Sequence, residues 1–181
     1  MITHNSKIFL AGHKGFVGSA ILRRLKLLGF KNIITASRKT LDLTNQSNVQ
    51  RFIQRKKPKL VIISAAKVGG ILANINSQAD FIYDNLIIEC NLINSCFKNS
   101  VKNLIFLGSS CVYPSNIKNK IKESHLLKSY LEKTNEGYAI AKIAGLKTAE
   151  NFRRQYDCPF YSVMPTNLYG PGDNYHPKNS H

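Results

Sequence analysis

Tyr138 and Lys142 stand four residues apart in Tyr138-Ala139-Ile140-Ala141-Lys142. On a helix that spacing puts both side chains on one face. An ammonium beside a phenol favours the phenolate and makes the phenol a usable acid near neutral pH. The pair gains meaning from Gly108-Ser109-Ser110-Cys111-Val112-Tyr113, which follows the apolar run Leu104–Leu107. In an open α/β sheet, ligands bind beyond the carboxyl ends of the strands. A Ser109 hydroxyl at such an end can hydrogen-bond a carbonyl oxygen that Tyr138 protonates.

A second constellation is Gly12-His13-Lys14-Gly15-Phe16-Val17-Gly18. Gly12, Gly15 and Gly18 let the backbone turn tightly and approach a pyrophosphate. The helix opening at Phe16 and Val17 offers free N–H groups and the positive end of its dipole. An acidic residue after the second strand would grip the 2′-hydroxyl of NAD, but the chain has Ser37-Arg38-Lys39 there. Arg38 suits a 2′-phosphate, with Lys14 adding to it, so NADP is favoured. The competing reading makes Arg38 one more surface cation.

The elements that must position these groups alternate. Strands are expected at Lys7–Ala11, Asn32–Ala36, Leu60–Ser64, Leu104–Leu107 and Phe160–Met164. Helices are expected from Phe16 to Leu28, after a Thr44 cap as far as Pro58, from Gln78 to Asn99, and from Tyr138 to Tyr156. Gly29 sits where a helix C-cap belongs. Strand–helix repetition with right-handed crossovers predicts an α/β fold, a Rossmann-like doubly wound parallel sheet.

With 181 residues, 43% of them hydrophobic, the chain has enough for one domain with a proper core. The net charge is +16, from 26 Lys and Arg against 10 Asp and Glu. Those cations are dispersed, and nucleic-acid binding needs a stripe, so no nucleic-acid partner is expected. No apolar run is long enough for a membrane span, and no signal-peptide pattern opens the chain. Cys90, Cys96, Cys111 and Cys158 show no metal-ligand spacing. No metal and a reducing, cytoplasmic setting are expected.

Longer stretches are more specific. Ala11–Gly15, Ala65-Ala66-Lys67-Val68-Gly69-Gly70-Ile71, Leu107–Pro114, Tyr138–Lys142 and Val163-Met164-Pro165-Thr166-Asn167-Leu168-Tyr169-Gly170-Pro171 resemble the GDP-L-fucose synthase family of extended short-chain dehydrogenases/reductases. The resemblance covers essentially the whole chain. It implies conversion of GDP-4-keto-6-deoxy-D-mannose to GDP-L-fucose, by epimerisation at C3 and C5 and NADPH-dependent reduction at C4. It assigns Cys111 as base and His181 as acid of the epimerisation. Taken by itself, Cys111 reads as a small buried residue. Ser109 and Tyr138 would polarise the C4 carbonyl, while Lys142 tunes Tyr138 and holds the nicotinamide ribose. Ala65, Ala66 and Lys67 would line the cofactor channel, and Pro165, Thr166, Asn167 and Leu168 would lie where nicotinamide and sugar meet. Asn167 would touch the substrate, and Ser110 would either touch it or support its loop.

Members of that family are longer, so residues 1–181 are expected to be the NADP-binding domain, with 165–181 an active-site loop that begins a missing C-terminal substrate domain. Two alternatives are a cofactor-binding remnant without turnover and another nucleotide-sugar epimerase or dehydratase. The resemblance also implies a homodimer through the helices around 78–99 and 138–156.

Overall fold

Ile8–Ala11 (β1) and Leu60–Ile63 (β3) bury every residue. That suits parallel strands covered on both faces. Ile33–Ile34 (β2), Asn103–Leu107 (β4) and Phe160–Val163 (β5) complete the sheet in this computed structural model, which describes residues 1–173. All pairings are parallel and the order is β2-β1-β3-β4-β5. This is the expected doubly wound arrangement, with its switch point between β1 and β3.

Five α-helices are described: Phe16–Leu27 (α1), Gln46–Lys56 (α2), Ile71–Asn76 (α3), Gln78–Lys98 (α4) and Glu136–Tyr156 (α5). The alternation of side chains along β1 divides the core. Ile8 and Leu10 pack with Leu60 and Ile62 against Ile21, Leu22 and Leu25 of α1. Phe9 and Ala11 join the larger cluster, which takes in Val49, Phe52 and Ile53 of α2, Leu92 and Ile93 of α4, and Leu146 of α5. Phe106 is fully buried there as well.

The ends of α1 follow from its sequence. Gly29 has φ +79°, its N–H bonds the Lys26 carbonyl, and the Phe30 N–H bonds the Leu25 carbonyl. This Schellman closure needs a residue tolerant of positive φ. The register sets the working edge of the sheet. Ala11 pairs with Ile63 and Ile63 with Phe106, so β1, β3 and β4 end level. The turn at Gly12, the segment from Ser64 and the loop from Gly108 therefore leave the same edge.

Three expectations are corrected. The second strand keeps two of its five residues, since only Ile33 and Ile34 find partners on β1. The cap of α2 is Asn45, whose side chain accepts the Asn48 N–H at 2.9 Å. Thr44 instead directs its hydroxyl and its N–H to the Asp42 carboxylate, at 2.7 and 3.0 Å. A separate α3 precedes α4, and only Ser77 stands between them. Among the described residues no helix is long and apolar enough to cross a membrane.

Asn45→Ala should lower stability by about 1 kcal/mol in denaturant unfolding, the usual worth of an N-cap. Thr44→Ala should cost less, within roughly 0.5 kcal/mol, because its bonds are exposed. The reverse order would return the cap to Thr44.

Candidate active site

The glycine turn is built by close approach. Gly12 has φ +87°, and a Cβ there would stand 2.5 Å from the Ala65 backbone nitrogen, across the switch point. A Cβ on Gly18 would collide with the Gly12 carbonyl oxygen and stand 2.8 Å from Ser64 Oγ. Gly15 is the N-cap of α1, with no side-chain cap and no acidic residue in the first turn. The dipole end is thus left open to an anion. Phe16 and Val17 follow within α1. In the same turn His13 Nδ1 is buried without a hydrogen-bond partner. Lys14 and Arg38 are both exposed, and Arg38 acts electrostatically on Asp42.

Ala65, Ala66 and Lys67 leave β3 half-buried. Their course is fixed by Asn85 of α4, which the sequence reading missed. Its Oδ1 accepts the Lys67 N–H at 2.8 Å, and its Nδ2 donates to the Lys67 carbonyl at 3.0 Å. The Lys67 ammonium pairs with Asp84 at 2.9 Å and Asp80 at 3.5 Å. Asn74 of α3 similarly donates to the Gly69 and Gly70 carbonyls, at 2.6 and 3.1 Å. An asparagine on a buried helix position was the available signal, because such an amide must find partners.

Beyond β4, Ser109 caps a single 3₁₀ turn, Ser110–Val112, accepting the Cys111 N–H at 3.3 Å. The turn puts Cys111 near Tyr138, which enters from the first turn of α5. The Asn135 amide, a second missed residue, donates to Cys111 Sγ at 3.4 Å. Asn135 Oδ1 is buried without a partner. Ser110 is half-buried beside Cys111. Ser109, Cys111, Tyr138 and Lys142 are therefore brought together. Pro165 is half-buried, while Thr166, Asn167 and Leu168 are exposed after β5. His181 lies outside the described residues.

The electrostatics of Tyr138 correct the simple dyad picture. Its phenol is pushed well above the ordinary tyrosine range, first by burial and then by Cys111. The Ser109 hydroxyl offsets this in part, and Glu89 adds to it. Lys142 Nζ lies 5.8 Å from the Tyr138 ring centroid. Its charge is met by Glu89 of α4, at 2.8 Å. An ammonium so neutralised has little left with which to favour a phenolate. In this state Tyr138 is a neutral phenol with a proton to give.

The glycines make a testable pair. Gly18→Ala should destabilise the chain by about 1–3 kcal/mol in a thermal or denaturant melt, as overpacking against fixed backbone does. A Cβ on Gly15 meets nothing closer than 3.4 Å, so Gly15→Ala should leave the melt nearly unchanged. Equal effects would contradict the close approach.

The chain is similar to known proteins. The pattern of the NAD dependent epimerase/dehydratase family matches residues 8–181. GDP-L-fucose synthase 1 of Arabidopsis thaliana is 54% identical over 181 residues, which is 100% of this chain and 56% of that protein. The chain thus spans about half the length of the curated relatives it matches. Among solved structures, a GDP-mannoheptose C4 reductase from Campylobacter jejuni with NADP bound superposes with a TM-score of 0.92 at 41% identity, over 96% of this chain and 55% of that one. A GDP-L-fucose synthetase from Naegleria fowleri bound to NADP superposes with a TM-score of 0.89 at 29% identity, over 100% of this chain and 60% of that one. From its glycine turn through its Tyr-Lys helix, the chain belongs to the NAD dependent epimerase/dehydratase family.

Proposed function

We propose that the chain is the nucleotide-binding and acid–base part of an enzyme of the GDP-L-fucose synthase type. Its reaction would convert GDP-4-keto-6-deoxy-D-mannose to GDP-L-fucose. The observation that carries this reading is the thiol of Cys111 set beside Tyr138 at the end of β4. A simple ketone reductase needs the phenol and has no use for the thiol. Epimerisation next to a ketone needs a base as well, and the relatives named as GDP-L-fucose synthases support that use of it.

The residues fit NADP. The turn at Gly12 and Gly18 packs backbone on backbone more closely than a Cβ would allow, the α1 N-terminus has no side-chain cap, and a buried imidazole nitrogen of His13 has no hydrogen-bond partner. Gly12, Lys14, Gly15, Phe16, Val17 and Gly18 would hold the pyrophosphate, and Arg38 with Lys14 the 2′-phosphate. Ala65, Ala66, Lys67 and the segment Pro165–Leu168 would flank the rest, with Lys142 on the ribose. When bound as NADPH, the cofactor supplies the hydride for C4.

The chain's own groups would divide the remaining work. Cys111 takes the proton from the carbon beside the ketone, and Ser109 and Tyr138 hydrogen-bond the C4 oxygen as enolate charge develops there. His181 would return a proton on the opposite face. In the reduction Tyr138 gives its phenolic proton to the same oxygen, which suits a phenol held neutral by burial. Ser110 and Asn167 would contact the sugar. A homodimer through α4 and α5 belongs to the same proposal, with Tyr83 and Ile140 exposed on those helices.

Two measurements check the reading. In a fluorescence titration the 181-residue chain should bind NADPH more tightly than NADH, and Arg38→Ala should reduce that preference about tenfold, the weight of one charge-assisted contact. An unchanged preference would remove Arg38 from the 2′-phosphate. In a chain extended through the C-terminal part its relatives carry, Tyr138→Phe should slow NADPH oxidation by roughly 10²–10⁴-fold, the usual worth of a general acid. Cys111→Ser should instead suppress deuterium exchange from heavy water at C3 and C5 more than NADPH oxidation. Equal losses in both readouts would undo the division of roles.

A further inference from the structure

Glu89 is the most deeply buried acid among the described residues, at 1% exposure, and no step above uses it. It points from α4 into the packing against α5, where its Oε1 meets Lys142 Nζ at 2.8 Å. Lys142 is itself 3% exposed. Its ammonium also donates to the Leu107 carbonyl, at 3.1 Å, and lies 4.7 Å over the Phe106 ring. No group besides the Lys142 ammonium, at Oε1, is found on the Glu89 carboxylate, and Oε2 is buried without a hydrogen-bond partner.

Residue 145 explains the fit. A Cβ there would stand 2.5 Å from Glu89 Oε2 and 2.5 Å from the Phe106 ring, so glycine leaves the carboxylate its place. Burying a carboxylate and an ammonium together is a poor route to stability, and apolar side chains would fill the same volume better. An ammonium buried alone, however, would shed its proton. The pair makes sense if the ammonium is needed.

We propose that Glu89 is the positioning residue of the Tyr138–Lys142 pair, holding the Lys142 side chain in place at the end of β4 until the hydroxyls of a bound nucleotide's sugar compete for it. The second half of this statement rests on the NADP reading, while the first does not.

The charged and titratable groups around Glu89 are few. Lys142 and Tyr138 face it from α5, Cys90 senses it on its own helix, and β4 contributes the uncharged Phe106 ring. Burial pushes the Glu89 carboxyl up to about 7, with Lys142 pulling it back down. Its folded value is above its unfolded one, so the folded chain holds this proton across the mildly acid range and loses it near neutrality. Withdrawing Lys142 removes the downward pull, so the midpoint must rise.

The test is a pH titration of the 181-residue chain labelled with ¹³C at its glutamate carboxyls and read by NMR. The other glutamates are exposed or half-exposed, so a midpoint near neutrality identifies Glu89 without a variant. Lys142→Met should raise that midpoint by about one pH unit or more, as loss of a neighbouring opposite charge does. Lys142→Arg should hold it near the wild-type value. Saturating NADPH should raise it in the wild-type chain. A midpoint indifferent to both Lys142→Met and NADPH would overturn the proposal, as would the absence of any glutamate titrating near neutrality. If Lys142→Met fails to fold, the wild-type chain with and without NADPH decides. Failure to bind NADPH would count against the cofactor reading, and the Lys142→Met comparison would still decide the pair.

Discussion

A parallel strand reaches its neighbour only through a crossover, and each crossover returns the chain to start again from the same edge. With Ala11, Ile63 and Phe106 in register, whatever follows β1, β3 and β4 is delivered to one rim. The glycine turn, the Ala65–Lys67 segment and the Ser109–Cys111 turn share a site for that reason. The rim also crowds backbones together, and the glycines answer the crowding. Gly12 lies against the Ala65 backbone, and Gly18 against Gly12 itself. The turn proposed to hold phosphate is thus also a tight strand-to-helix joint, made of the same atoms.

What leaves the rim has little regular structure of its own, so its shape comes from side chains on the helices behind it. Asn85 clamps Lys67, Asn74 clamps the glycines at 69 and 70, and Asn91 donates to the Leu43 and Thr44 carbonyls at 2.9 and 3.1 Å. Each of these amides is buried and substitutes for a missing backbone partner. Helix α4 is thus a scaffold on two levels. Its apolar face packs the sheet through Leu92, Ile93 and Cys96, and its polar residues set the loops and the Lys142 ammonium.

The fold was readable because its signals are strong and local. Continuous apolar runs marked β1 and β3, a glycine at the right offset marked the end of α1, and the order of elements implied the sheet. The misreadings arise where two residues compete for one role or where the deciding contact is remote. Thr44 and Asn45 are both good caps, and Asp42 decides between them by claiming Thr44. α3 is six residues long, too short for a period to show. The grouping of Ser109, Tyr138 and Lys142 was legible from motif spacing. The state of Tyr138 was not, because it depends first on the desolvation that packing imposes, then on Cys111, and in smaller part on Glu89, which lies 49 positions before it in the chain.

That state bears on how one small site could perform two proton transfers of opposite sense. A base beside the ketone must give up its proton before it can act, whereas the acid on the ketone oxygen must keep its own until the end. On the proposed assignment, the surroundings of the two groups differ. Tyr138 and Cys111 are both half-buried, but desolvation raises the phenol, while the Asn135 amide donates to the sulfur at 3.4 Å. The coupling between them then works in favour of the division. Charge on Cys111 raises the Tyr138 phenol further, so an ionised thiol makes its neighbour hold its proton more firmly. Glu89 acts in the same direction on Tyr138 when it is ionised, and its grip on Lys142 decides how much positive charge is left to oppose it. Under the proposal for Glu89, whatever draws Lys142 away from it adjusts the phenol only within the range that burial and Cys111 set first.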